Sequence, residues 1–187
     1  ANPPPGTPKR DNYLIRVYEY PPEWEAFTQA EKELRLMMIR LQLRRMGKPV
    51  VAAVNGPCAG AALGIALACD LRIVHPRAYF VVGFSGIGLA PDSAVSLLLP
   101  VIIGLGRAQE YFYSNQPIPA WRAQRWGMAN QVGWLGFEAL VKRTAERLAS
   151  GPREAFALGK QAFNRAALPN LEDVLNFEGI LQDEAGK

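Results

Sequence analysis

A chain of 187 residues with 49% hydrophobic content is long enough for one domain with a substantial core and leaves little room for a second full one. Its formal net charge of +4 at pH 7 is mildly basic, and no aromatic platform is interleaved with the basic residues, which argues against nucleic acid as the partner. Two cysteines without CxxC or histidine-paired spacing argue against a disulfide framework or a metal site, and read as buried thiols in a reducing, cytoplasmic compartment.

The first 12 residues, with Pro3-Pro4-Pro5-Gly6, read as a loop and show neither a signal peptide nor a membrane anchor. Residues 23–46 form the first predicted helix, with Phe27, Leu34, Met37, Met38, Leu41 and Met46 recurring three or four apart, Pro21-Pro22 opening it and Gly47 capping it. Arg35, Arg40, Arg44, Arg45 and Lys48 also fall at helical spacings and are expected to form its solvated face. Residues 50–54 read as a buried strand, 60–68 as a short helix, 71–74 as a second buried strand and 79–82 as a third extended segment. A glycine-rich loop over 83–91 leads through Asp92-Ser93 into a helical pattern at 94–99. Helices are expected again at 106–114 and 119–126, a strand near 129–132, and three closing helices at 137–149, 152–165 and 171–183.

This order predicts an α/β fold with right-handed strand-helix-strand crossovers. Residues 1–135 would form the α/β core and residues 136–187 a helical region for oligomerisation, where Phe163, Leu168, Leu175 and Phe177 need a partner surface. The best candidate for a membrane span, residues 50–68, is broken by Asn55, Gly56 and Pro57, so none is expected.

The chemistry begins at that break. A β-branched run enters the turn at Asn55-Gly56-Pro57 and leaves as an Ala-rich helix, so the first-turn N–H groups of the helix lie bare at the end of a strand. No basic side chain occurs between Asn55 and Asp70, so an anion there would be held by backbone amides and the helix dipole. Stabilising an oxyanion is the use such a device suggests. His75, the single histidine, has no nucleophile or carboxylate cluster in register, and Ser85 lacks the spacing of a nucleophile elbow. Trp121, Trp126, Trp134 and Tyr111 read as core or subunit-contact aromatics.

Residues 48–70, KPVVAAVNGPCAGAALGIALACD, resemble the hallmark KPVIAAVNGxAxGGGxxLAxxCD of the crotonase (enoyl-CoA hydratase/isomerase) superfamily. The resemblance continues through Ala78-Tyr79-Phe80, Gly88-Leu89-Ala90-Pro91, Leu99-Pro100 with Gly104, and residues 126–132, and covers about residues 48–133. It implies a crotonase-like (ClpP/crotonase) spiral of βαβ units, an acyl-CoA thioester substrate, no cofactor beyond the CoA carried by that substrate, no metal, and a homotrimer or homohexamer. It also implies that the backbone N–H of Ala61 is an oxyanion donor, that Gly60, Ala62, Gly64, Phe84, Ile87 and Leu89 line the substrate site, and that Asp70 joins helix to strand.

Departures from the pattern select the reaction. The family's hydratases place glutamates where this chain has Gly64 and Phe84, and neither residue can activate water or manage an α-proton. Asp92 remains as acid and base. Its segment, Gly88-Leu89-Ala90-Pro91-Asp92-Ser93, resembles the GLxPDSG of the phenylacetate-pathway epoxyphenylacetyl-CoA isomerases and related enoyl-CoA isomerases, with Ala94 replacing the glycine. One carboxylate between two carbons suits a double-bond shift or a ring rearrangement, and apolar neighbours Phe84, Ile87 and Leu89 are expected to desolvate it. Taken alone, Asp92 or Ser93 before an apolar helical run is also an ordinary N-cap signal.

The family's N-terminal strands and its FSAGADL-like oxyanion segment do not occur before Pro21, so the chain reads as N-terminally incomplete, with unpaired strand edges near residues 50–54 and 79–82. Two alternatives stay open: a non-catalytic acyl-CoA-binding or structural subunit, and a hydratase-like enzyme of another specificity. RNA binding through residues 35–48 is a remote third reading.

Overall fold

The computed structural model of the chain describes residues 14–15 and 29–186. The expected loop over residues 1–12 and the expected helix start at residues 23–28 lie outside them, as do the side chains of Leu34 and Arg35. Strand β1 (Leu14–Ile15) and helix α1 (Gln29–Arg45) precede β2 (Val51–Val54), β3 (Pro57–Ala59), α2 (Ala61–Ala68), β4 (Leu71–Val74) and β5 (Tyr79–Val81). A 3-10 turn at Ser85–Ile87 then leads to α3 (Val95–Ile103), α4 (Leu105–Ser114), β6 (Ile118–Pro119), α5 (Ala120–Arg125) and β7 (Gln131–Val132). Helices α6 (Phe137–Ala149), α7 (Arg153–Ala167) and α8 (Leu171–Ala185) close the chain.

The strands form two sheets, a parallel one in the order β1-β2-β4-β7 and a smaller one in the order β3-β5-β6. In the first, Val51 and Ile73 point to one face, where Phe137 and Val141 of α6 cover them. Ala52, Val54 and Val74 point to the other, into the main core with Leu63 and Leu67 of α2. This alternation is the period-two geometry of a strand buried on both sides. The apolar run of residues 50–54 therefore made the strand legible while hiding its two faces.

Several expectations need correction. Neither strand expected to lack neighbours does so: β2 lies between β1 and β4, and β5 lies between β3 and β6. The turn at residues 55–60 contains a strand, because β3 pairs in parallel with β5, Cys58 opposite Phe80. Helix α3 runs through Pro100 to Ile103 rather than stopping before it, since Leu98, Leu99 and Ile103 pack it onto the core. Leu168 and Leu175 are buried in that same core and need no partner, whereas Phe163 and Phe177 stand exposed.

Helix α1 is not charged only on its solvent face. Arg40 and Arg44 share its buried stripe with Leu43, four residues apart, while Arg45 is exposed and pairs with Glu172. Arg44 donates to the Ala68 carbonyl and lies 3.4 Å from Asp70, and its guanidinium also donates to the side-chain Oδ1 of Asn164 on α7. Asp70 accepts from the Val50 N–H at 2.8 Å and from Lys160 Nζ at 2.7 Å, and so ties α2, β2, α1 and α7 together. Arg72, buried on β4, donates to the carbonyls of Cys69 at 2.7 Å and Met128 at 2.6 Å, closing the end of α2. Cys58 and Cys69 are buried free thiols.

Candidate active site

At Gly60 the backbone takes φ +54°, a left-handed conformation that glycine adopts without steric cost. Its carbonyl accepts the first bond of α2, from the Gly64 N–H at 3.2 Å, so the N–H groups of residues 61–63 precede the intrahelical ladder. Parallel pairing of β3 and β5 brings this helix start against the loop that follows β5: the Gly60 N–H donates to the Val81 carbonyl at 3.3 Å. A Cβ built at Gly60 would rest 3.9 Å from the Phe84 ring, which is buried beneath it. Gly60, Ala61, Ala62 and Phe84 are thus gathered at the C-terminal ends of parallel strands, where open α/β sheets place their ligands.

Asp92 lies in the turn before α3, which packs onto α2 through Ser93. Ser93 and Ala94 have φ of +71° and +59°, two successive left-handed residues that each cost an L-residue about 1–2 kcal/mol. The replacement of the family glycine by Ala94 therefore falls on backbone that favours glycine. This turn is pressed onto α2: a Cβ at Gly64 would lie 2.5 Å from the Ser93 Cβ and 3.1 Å from its carbonyl carbon. Gly64 is buried behind the turn, and the space a glutamate would need there is occupied by Ser93.

The Asp92 carboxylate accepts a bond from the Ser93 hydroxyl, and that hydroxyl in turn accepts one from Arg40 Nη2. The guanidinium lies 3.9 Å from Asp92 Oδ1, with the Arg40 side chain 3% and the Asp92 side chain 22% exposed. The apolar surroundings expected for Asp92 thus include a buried cation, and Ile87, 72% exposed, contributes no burial. Leu89 packs half-buried against the core. At the start of α3 the Asp92 backbone carbonyl accepts the Val95 N–H at 3.0 Å. A side-chain acceptor comes from Glu178 of α8, which takes the Ala94 N–H at 2.6 Å, the Ser96 N–H at 3.0 Å and the Ser96 hydroxyl.

Arg40 and Glu178 were missed by sequence reasoning. The one available signal for Arg40 was its position four residues from Arg44 on the apolar stripe of α1. Glu178 lies 84 residues from Ala94, and nothing local announces it.

Beside the turn, an apolar cleft of about 240 Å³ is lined by Val82, Pro91, Val95, Leu99, Ala108 and Phe112. It exceeds the ~150 Å³ that accommodates one benzene ring. Among the described residues no group of three or more His, Cys, Asp or Glu could hold a metal ion, and no helix is long and apolar enough to cross a membrane. His75 packs its ring edge-on to Phe137, Tyr111 is buried against Trp126, and Trp121 and Trp134 are exposed.

Residues 24–187 match the family model described as enoyl-CoA hydratase/isomerase. A 4-chlorobenzoyl coenzyme A dehalogenase of Arthrobacter sp is 36% identical over 137 residues, 73% of this chain and 50% of the relative. The 1,2-epoxyphenylacetyl-CoA isomerase of Escherichia coli K12 is 37% identical over 149 residues, 78% of this chain and 56% of the relative. The crystal structure of an enoyl-CoA hydratase from Mycobacterium avium subsp. paratuberculosis K-10 superposes with a TM-score of 0.81 at 36% identity, covering 84% of this chain and 65% of that one. The chain thus spans about half the length of the curated relatives it matches.

Proposed function

Because the chain belongs to the enoyl-CoA hydratase/isomerase family and has the crotonase fold, we propose that the protein carrying it is an acyl-CoA isomerase with Asp92 as the proton shuttle. The observation that carries this reading is the packing of Ser93 over Gly64: the turn presenting Asp92 occupies the place from which a hydratase glutamate would act. Asp92 takes a proton from one carbon of the acyl group, and the electron pair passes into the thioester carbonyl. The Ala61 N–H and the positive end of α2 hold the resulting enolate oxygen. The Asp92 carboxylic acid then returns the proton to a second carbon, the enolate collapses, and the double bond has moved with no net change in atoms.

Arg40 and the Ser93 hydroxyl keep the carboxylate oriented for the transfer. The cleft beside Pro91 suits an acyl group with one ring, a size consistent with the single-ring acyl groups in the names of two relatives. CoA enters as part of the substrate, and the proton transfers need no further cofactor. A trimer or a pair of trimers is the proposed assembly, and exposed Phe163 and Phe177 are side chains that a subunit contact would cover.

The test is proton exchange in D2O. The intact protein is expected to exchange the α- or γ-protons of an enoyl-CoA, and Asp92→Asn to abolish the exchange. Wild-type exchange in Asp92→Asn would reject the proposal, and tight binding of every enoyl-, dienoyl- and epoxyacyl-CoA without turnover would instead favour a binding subunit. Release of chloride from 4-chlorobenzoyl-CoA without any exchange would place the chain beside the dehalogenases.

A further inference from the structure

We propose that helix α8 clamps the Asp92 segment, with Glu178 and Gln182 as positioning residues for the proton shuttle. The clamp grips the segment on both sides. Gln182 Nε2 donates to the Ala90 carbonyl at 2.6 Å, two residues before Asp92. Glu178 accepts from the N–H groups of Ala94 and Ser96, two and four residues after it, and from the Ser96 hydroxyl. The two side chains are four residues apart and therefore share one face of α8.

The turn between these grips is the part of the chain that needs holding. Ser93 and Ala94 are both left-handed although neither is glycine, so other backbone conformations are intrinsically preferred at each. The bond from the Ala94 N–H to Glu178 is made at the second of them and supplies a restraint that a glycine would need less.

Glu178 is 2% exposed, and a charge is seldom so deeply buried for helix capping alone, a task that an exposed serine or aspartate performs. Burial pushes its carboxyl pKa up, the Ser96 hydroxyl and the two amides pull it down, and the nearby Asp92 charge raises it again. That last interaction is mutual, so the charges that Asp92 meets among the described residues include the buried cation Arg40 of α1 and the buried carboxylate Glu178 of α8. The C-terminal helix is on this account part of the catalytic apparatus as well as of the core.

This inference rests on the proposed role of Asp92, and the experiment separates the two. Glu178→Gln and Gln182→Leu are made in the intact protein and assayed for proton exchange from an enoyl-CoA. In each, kcat is expected to fall about 10- to 100-fold, as for a misplaced reacting group, with KM within about twofold of the parent. Loss of the like charge in Glu178→Gln should also move the acidic limb of the kcat/KM profile to lower pH, whereas the uncharged Gln182→Leu should leave the limb in place. Adding Ala94→Gly to Glu178→Gln should recover much of the lost kcat, because glycine holds the left-handed turn without the clamp.

Parental kcat in both folded single variants would overturn the clamp, as would losses confined to KM or the absence of any recovery with Ala94→Gly. If Glu178→Gln does not fold, Gln182→Leu decides by the same kcat and KM criteria. If Asp92→Asn is inactive while Glu178→Gln and Gln182→Leu are fully active, the clamp alone fails. If Asp92→Asn retains exchange, the proposed function fails first.

Discussion

Gly64→Ala is the most direct test of how the Asp92 turn is seated. A new Cβ there would stand 2.5 Å from the Ser93 Cβ, where nonbonded carbons are comfortable at about 3.5 Å, so one of the two segments must retreat by ~1 Å. Helix α2 is buried over residues 63–68 and the contact is with backbone and Cβ rather than the tip of a flexible side chain, which leaves the Ser93 turn to move. Overpacking of this kind costs about 1–3 kcal/mol, against about 1 kcal/mol regained from the better helix propensity of alanine. A net destabilisation of about 0–2 kcal/mol is therefore expected in urea unfolding, read at constant m-value. Asp92 adjoins the displaced residue, so proton exchange from an enoyl-CoA should fall about 10²-fold, far beyond the loss of folded protein. A Gly64→Ala protein as stable as its parent, with undiminished exchange, would show that the turn and α2 are not in close contact and would refute the steric argument.

Asp70→Asn should destabilise by about 3 kcal/mol in chemical denaturation, because the Lys160 ammonium, 7% exposed and 2.7 Å from Asp70, would lose its counter-charge, and adding Lys160→Met should restore part of that loss. Arg45→Ala, by contrast, breaks an ion pair exposed on both sides and should change stability by less than about 0.5 kcal/mol. Burial raises the thiol pKa of Cys58 and of Cys69 to about 12, so neither should react appreciably with Ellman's reagent at pH 8 until the protein is unfolded. Both folded values lie above the unfolded value near 9, so this contribution to stability is complete below pH 9 and is lost as pH rises toward 12; alkaline titration of the unfolding midpoint should show the decline.

What could be read from the amino-acid order is what local chemistry decides. The β-branched run at residues 50–54, the Asn-Gly-Pro turn and the Ala-rich stretch after Gly60 specify strand, turn and helix within about 20 residues, and the same is true of β4 and α6, both found where periodicity put them. The approach of a helix N-terminus to a strand end, and the carboxylate at Asp92 after a glycine-rich loop, were legible for that reason. The orientation of α1 was not: Arg40 and Arg44 look like solvated charges until the groups they meet, Ser93 53 residues away and Asn164 120 residues away, are folded against them.

The crowding of Gly64 by Ser93, the β1 and β6 neighbours of the central strands, and the Glu178 cap on α3 are likewise settled by packing between distant segments. A side chain's burial and partners depend on which elements close over it, and local propensity carries no term for that. The sequence by itself determined a strand, turn and helix start at residues 50–68 and a carboxylate at Asp92 after a glycine-rich loop; only the tertiary structure decided how the Asp92 segment is held, because its supports come from α1 and α8, two helices far apart in the sequence.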